Sequence, residues 1–311
     1  MAALFDKYFM TFPMFDRCDD FFTFWDKSIS ELKKIPVEPL HVKSKDNRQS
    51  GFESFDIRFR SIRKNEIEGK LYTPQSSSKT VIIFHDYNET EYYNSFKLDP
   101  EFSYLFITLR NHQHIEKKAV IQNAQKKETV SPNFFAENIH DKTSYYAGYI
   151  YLDALRSVEF IRLFRALSSS DIFIIGRGVG AACAVFTAAY SSRVKAISMD
   201  SPALCYLSFS QNHSKNELTS EINKGFAGQK NKNEIKKNLT FFDCLNFADK
   251  INIPVQMSLG LKDVTNHPQS AFALFNRFLT DKTAEIYPDS GYESGGEKQW
   301  VKSLDFFKTI Q

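Results

Sequence analysis

Short, uninterrupted apolar runs constrain this chain more than any other feature. Val81-Ile82-Ile83-Phe84, Tyr104-Leu105-Phe106-Ile107 and Ile172-Phe173-Ile174-Ile175 show no polar alternation, the pattern of strands covered on both faces. Helical spacing separates the later strands. A helix is predicted from about Tyr145 to Leu167, with Tyr151, Ala154, Leu155, Val158 and Ile161 on its buried side. Ala181 to Tyr190 reads as a helix, Val194 to Met199 and Val255 to Leu259 as strands, and Gln269 to about Leu279 as a helix. Ala284 to Tyr287 and a C-terminal helix complete the series. This alternation predicts an α/β fold with a mostly parallel central sheet and helices on both faces. Ahead of it, Phe55, Ile57 and Phe59 alternate, and so do Ile67, Gly69 and Leu71 beyond a turn at Arg63-Lys64-Asn65, which predicts an antiparallel hairpin. Residues 203–248 carry no strand pattern and many lysines, so they are expected to form a helical insertion over the carboxyl edge of the sheet. The whole of 1–311 reads as one domain, with 1–50 an N-terminal arm and helix. In that helix Asp19 or Asp20 can cap, Phe21, Trp25, Ile29 and Leu32 form the apolar stripe, and Pro36 marks the end.

Composition removes several function classes. The 40 Lys and Arg against 37 Asp and Glu leave +3, too little for a nucleic-acid footprint. No apolar run approaches the roughly 20 residues of a membrane helix, and Asp6 and Lys7 interrupt any secretory leader pattern. Cys18, Cys183, Cys205 and Cys244 lie far apart without Cys-x-x-Cys pairing. They are expected to be reduced and buried, as in a cytoplasmic protein. The stretch from His112 to Pro132 is polar and reads as a surface connection. Its His112-x-His114 pair lacks a third ligand at metal-site spacing, so no metal and no cofactor is expected.

Chemistry should lie at Ile174-Ile175-Gly176-Arg177-Gly178-Val179-Gly180-Ala181-Ala182, a buried strand passing through three glycines into an alanine-rich helix. Two machines use that geometry. In the nucleophile elbow G-x-S-x-G, a strained turn lifts a serine into the site; Gly176 and Gly180 fit the outer positions, but Gly178 stands at the serine. The dinucleotide fingerprint G-x-G-x-x-G/A is met by Gly176, Gly178 and Ala181, with Asp200 ending the next strand as a ribose-binding carboxylate would. The segment alone does not choose between them.

Residues elsewhere carry a resemblance. His85-Asp86-Tyr87-Asn88, the helix bearing Tyr145-Tyr146, Tyr151, Asp153-Ala154 and Arg156, Asp200-Ser201-Pro202 with Leu204-Cys205, and Phe241-Phe242-Asp243 with Asn246-Phe247-Ala248 follow one family from end to end. So do Ile253-Pro254-Val255, Gly260-Leu261 with Asp263, and the N-terminal Phe24-Trp25. The chain resembles the acetyl xylan esterase / cephalosporin-C deacetylase family of α/β-hydrolases. The resemblance implies a serine–histidine–aspartate triad that removes acetyl groups from sugars and small esters, an acetylated sugar or small ester as ligand, and a homo-oligomer, with neither nucleic acid nor membrane as partner.

Carried over residue by residue, Asp263 is the retained triad acid, Gly178 stands at the nucleophile and Tyr292 at the general base, where the family has N-H-E-G-G. The backbone N–H groups of Tyr87 and Val179 map onto the oxyanion hole. Glycine offers nothing to acylate, and a phenol titrating near ~10 is a poor base at neutral pH. Removing a triad serine costs on the order of 10⁶ in turnover. The resemblance therefore implies an inactive or nearly inactive homologue that retains a binding or assembly role. Further departures fall at Arg110-Asn111-His112-Gln113, where the family has R-G-Q-G, and at Asp86, which replaces a glycine. An active deacetylase with water in the space vacated by the serine, or a dinucleotide binder, are the alternatives. The double change Gly178→Ser with Tyr292→His is expected to recover esterase activity. Asp263 is expected to accept backbone hydrogen bonds or to meet the Tyr292 hydroxyl, Asp200 to be structural, and His267 to start a surface helix.

Overall fold

The computed structural model describes residues 2–44, 49–87, 89, 91–111 and 133–310. The His112–Pro132 connection, its histidine pair and Asn88 lie outside the described residues. Nine strands form one sheet: β1 (Leu40–Lys43), β2 (Phe52–Arg60), β3 (Glu66–Pro74), β4 (Lys79–Phe84), β5 (Phe102–Ile107), β6 (Asp171–Arg177), β7 (Val194–Asp200), β8 (Val255–Gly260) and β9 (Lys282–Tyr287). Their spatial order is β1-β2-β3-β5-β4-β6-β7-β8-β9. The expected hairpin is present: β2 pairs antiparallel with β3, setting Phe55 opposite Leu71 and Phe59 opposite Ile67. From β5 through β4 and on to β9 every pairing is parallel.

The continuous apolar runs are explained by the two faces of the sheet. Along β4, Ile82 and Phe84 join the larger core with the helices Phe21–Lys33, Tyr146–Leu163 and Val179–Tyr190. Val81 and Ile83 point the other way, into a core closed by Trp300, Leu304 and Phe307 of the C-terminal helix Gly296–Lys308. Each residue of this β4 run thus buries its side chain whichever way it points. Residues 203–248 include the helices Leu207–His213, Glu217–Phe226 and Lys232–Thr240. Their lysines 215, 224, 230, 232, 236 and 237 are all exposed.

Several boundaries differ from the sequence reading. The arm contains a helix, Ala2–Phe9, and an edge strand, β1, that periodicity does not reveal. The long helix stops at Leu163 because Phe164 turns extended and its ring leaves to meet His41 and Phe55, with centroids 4.9 and 5.8 Å away. Asp20 occupies the N-cap position of the Phe21–Lys33 helix without making a cap hydrogen bond; its carboxylate pairs instead with Lys142 at 2.5 Å. Three of the four cysteines are buried and all are free. Among the described residues no helix is long and apolar enough to cross a membrane.

The tyrosine-rich helix Tyr146–Leu163 is a hydrogen-bonding hub. Tyr146 donates to the Arg110 carbonyl at 2.8 Å and Tyr151 to that of Phe242 at 2.7 Å. Arg110 grips Asp153 through Nε and Nη2, both at 2.7 Å, in a bidentate pair of which both members are buried, and Ser61 donates to the same carboxylate. Losing one charge of such a pair strands the other in a low dielectric. Asp153→Asn should therefore lower the unfolding free energy by about 3–5 kcal/mol in urea titration. Glu31→Gln, which breaks the exposed Glu31–Lys34 pair, should change it by less than about 1 kcal/mol.

Candidate active site

Strand β6 delivers the elbow. Gly176 and Gly180 are there because the chain folds back on itself: a Cβ on Gly176 would overlap the carbonyl of Gly180, and one on Gly180 would overlap that of Phe84. Gly178 lies between them at φ +53°, ψ −117° and opens the helix Val179–Tyr190. This is backbone that an L-residue adopts only under strain. The backbone thus makes an elbow at a residue without a side chain.

The space is filled from the neighbouring strand. A Cβ built on Gly178 would overlap the carboxyl group of Asp86, at the carboxyl end of β4. Asp86 Oδ1 accepts the Val179 N–H at 2.6 Å, and Oδ2 accepts the Tyr292 hydroxyl. A carboxylate oxygen therefore already occupies the Val179 N–H, at the positive end of a helix where an anion is favoured. The expectation of a water in that space is corrected: the Asp86 side chain takes it.

Tyr292 is a hydrogen-bond donor here. Burial, then the adjacent Asp86 charge, pushes its hydroxyl well above the ordinary phenol value. Its backbone carbonyl accepts Arg177 Nη2 at 2.9 Å, and the Arg177 guanidinium lies between the rings of Tyr92 and Tyr292, 3.8 and 3.9 Å from their centroids. Glu89 accepts Arg177 Nε at 2.9 Å. The buried cation is thereby held in place against the segment that carries Tyr292.

Asp263, at the turn after β8, accepts the N–H groups of Thr265 and Asn266 at 2.8 and 3.0 Å and the Ser201 hydroxyl. Burial raises its carboxyl above the ordinary value. Of the two expected arrangements the backbone one is found, while the Tyr292 hydroxyl goes to Asp86. Asp200 is buried, bonded to Tyr93 and Ser258 at 2.7 Å each. Asp200 is thus bonded within the fold, and the Val179 N–H at the helix N-terminus is taken by Asp86. His267 caps the helix Pro268–Arg277, accepting the Gln269 N–H at 3.2 Å.

Tyr87 lies beside the elbow, its hydroxyl donating at 3.0 Å to Glu221. Glu221, fully buried on the helical insertion, also accepts the N–H groups of Asn133 and Phe135 at 2.8 and 2.9 Å. The insertion is thereby tied to the turn that carries Asp86. A cleft of about 280 Å³ opens above, with Asp86, Tyr87, Glu89, Asn216, Glu217 and Tyr292 among its walls. Asp86 was visible in the sequence only as a glycine replaced; that it reaches the elbow was not. Glu89 and Glu221 carry no motif that would have marked them.

Known proteins share this architecture. The chain is 21% identical to acetyl esterase Axe7A of Xylanibacter ruminicola, over 96% of this chain and 69% of that protein. The acetyl xylan esterase from Paenibacillus sp. R4 superposes with a TM-score of 0.83 at 21% identity, covering 98% of this chain and 99% of that one. Acetyl xylan esterase 1 from Thermoanaerobacterium sp. JW/SL YS485 gives 0.77 at 20% identity, covering 97% and 98%. At such identities the structural likeness speaks to the fold, which is that of the α/β-hydrolases. The family model for acetyl xylan esterase matches residues 10–310, and the chain belongs to that family.

Proposed function

We propose that this family member binds a small carbohydrate or ester in its cleft and does not hydrolyse it. The observation that carries the reading is the Asp86 carboxylate, which lies where an attacking side chain on residue 178 would project and takes the Val179 N–H that an oxyanion would need. Three losses reinforce one another. Gly178 has no nucleophile, Tyr292 holds its proton and donates it to Asp86, and Asp263 is turned toward Ser201 and its own loop. Backbone donors alone can sustain roughly 10³–10⁴-fold rate enhancement when a triad is deleted. With the Val179 donor already engaged, even that residue of catalysis is not expected. The relatives named as acetyl esterases give the ligand class, and the cleft of about 280 Å³ falls just below the roughly 300–1,000 Å³ of drug-sized ligand pockets, which points to a small ligand.

Purified protein should release no acetate above the buffer rate from 4-nitrophenyl acetate or acetylated xylo-oligosaccharides, and a fluorophosphonate probe should label no residue of the cleft. Turnover lost on Asp263→Ala, or labelling at a cleft hydroxyl, overturns the reading.

Restoration needs three changes and not two, since a serine side chain at residue 178 collides with Asp86. Gly178→Ser with Tyr292→His should stay silent. Adding Asp86→Gly should give measurable hydrolysis of 4-nitrophenyl acetate, at least ~10²-fold above the unmodified protein, given the ~10⁶ that a triad serine supplies. A folded triple variant without activity would show that the loss lies elsewhere than in these three positions.

A further inference from the structure

The Asp86 carboxylate has a consequence for what the cleft can hold. It stands where a side chain on residue 178 would project, with one oxygen on the Val179 N–H and the other under the Tyr292 hydroxyl. An ionised carboxylate has about four acceptor sites and no donor. Those two bonds leave further lone pairs on a half-buried group that lines the cleft.

The donors closest to Asp86 in the chain's own bonding are committed to partners within it. The Tyr87 hydroxyl goes to Glu221 and that of Tyr292 to Asp86. The Asn216 amide gives both its hydrogens, to the Thr265 carbonyl at 2.8 Å and to Asn266 Oδ1 at 2.7 Å. Where Asp86 lines the cleft, the wall therefore presents an acceptor.

An acetyl ester cannot answer. Its carbonyl and ether oxygens only accept. A free hydroxyl is smaller and donates a charge-assisted hydrogen bond to the carboxylate. We infer that Asp86 inverts the ligand preference of the cleft, so that it takes a sugar with a free hydroxyl and rejects the corresponding acetyl ester. This inference rests on the binding role proposed above. It makes Asp86 a specificity-determining residue.

The test is calorimetric titration of the full chain with xylobiose and with per-O-acetylated xylobiose, for the unmodified protein, Asp86→Gly and Asp86→Asn. The unmodified protein should bind xylobiose at least about tenfold more tightly, the worth of one hydrogen bond to a charged group. Asp86→Gly, which removes the carboxylate, should bring the ratio to about one or below it. Asp86→Asn keeps the bulk while removing the charge, and should fall between. Equal or tighter binding of the acetylated sugar by the unmodified protein overturns the inference, as does a preference unchanged in a folded Asp86→Gly. Binding of neither sugar would remove the binding role itself and this inference with it. The hydrolysis assays would be untouched by that result, so the two failures are told apart.

Discussion

The N–H of Val179 and the carboxylate of Asp86 form the contact on which the site depends. The helix Val179–Tyr190 starts with unpaired backbone donors, as every helix does, and its positive end favours an anion. In a serine hydrolase that favour is held open for charge that develops during reaction. Here a carboxyl group 93 residues away in sequence meets it at 2.6 Å. Tyr292 then adopts its role because an acceptor is waiting for its hydroxyl, and Arg177 stacks on the ring so placed.

What surrounds the site is conservative in the physical sense. The Arg110–Asp153 pair, the tyrosines of the Tyr146–Leu163 helix and the Glu221 tie all satisfy buried polar groups across segments far apart in the chain. Removing any one of them leaves a partner unsatisfied, so the scaffold resists change. The Gly178 backbone belongs to the scaffold. Its positive-φ turn is required to bring β6 into the helix whether or not a nucleophile sits on it.

The sequence made the parallel half of the sheet legible because both faces of those strands are buried, which leaves an unbroken apolar signature. β1 was not legible: Leu40, His41, Val42 and Lys43 are all exposed, so burial imprinted no alternation on them. The helix Tyr146–Leu163 was readable in its core positions but not at its end, since the departure of Phe164 depends on rings from β1 and β2. At the site, the glycine at 178 and the tyrosine at 292 are plain in the sequence. The gain at 86 could be seen only as an odd residue, because its meaning lies in contacts with Val179 and Tyr292, the latter 206 residues distant. A deletion is a local fact about a chain, whereas the filling of the space it leaves is a fact about the fold.

The overlap between Asp86 and a Cβ at residue 178 couples the two positions. A side chain introduced at 178 has to push the Asp86 carboxyl group aside, and with it the contacts that group makes with the Val179 N–H and the Tyr292 hydroxyl. A change at either position is therefore felt at the other, and the two behave as one unit although 92 residues separate them along the chain.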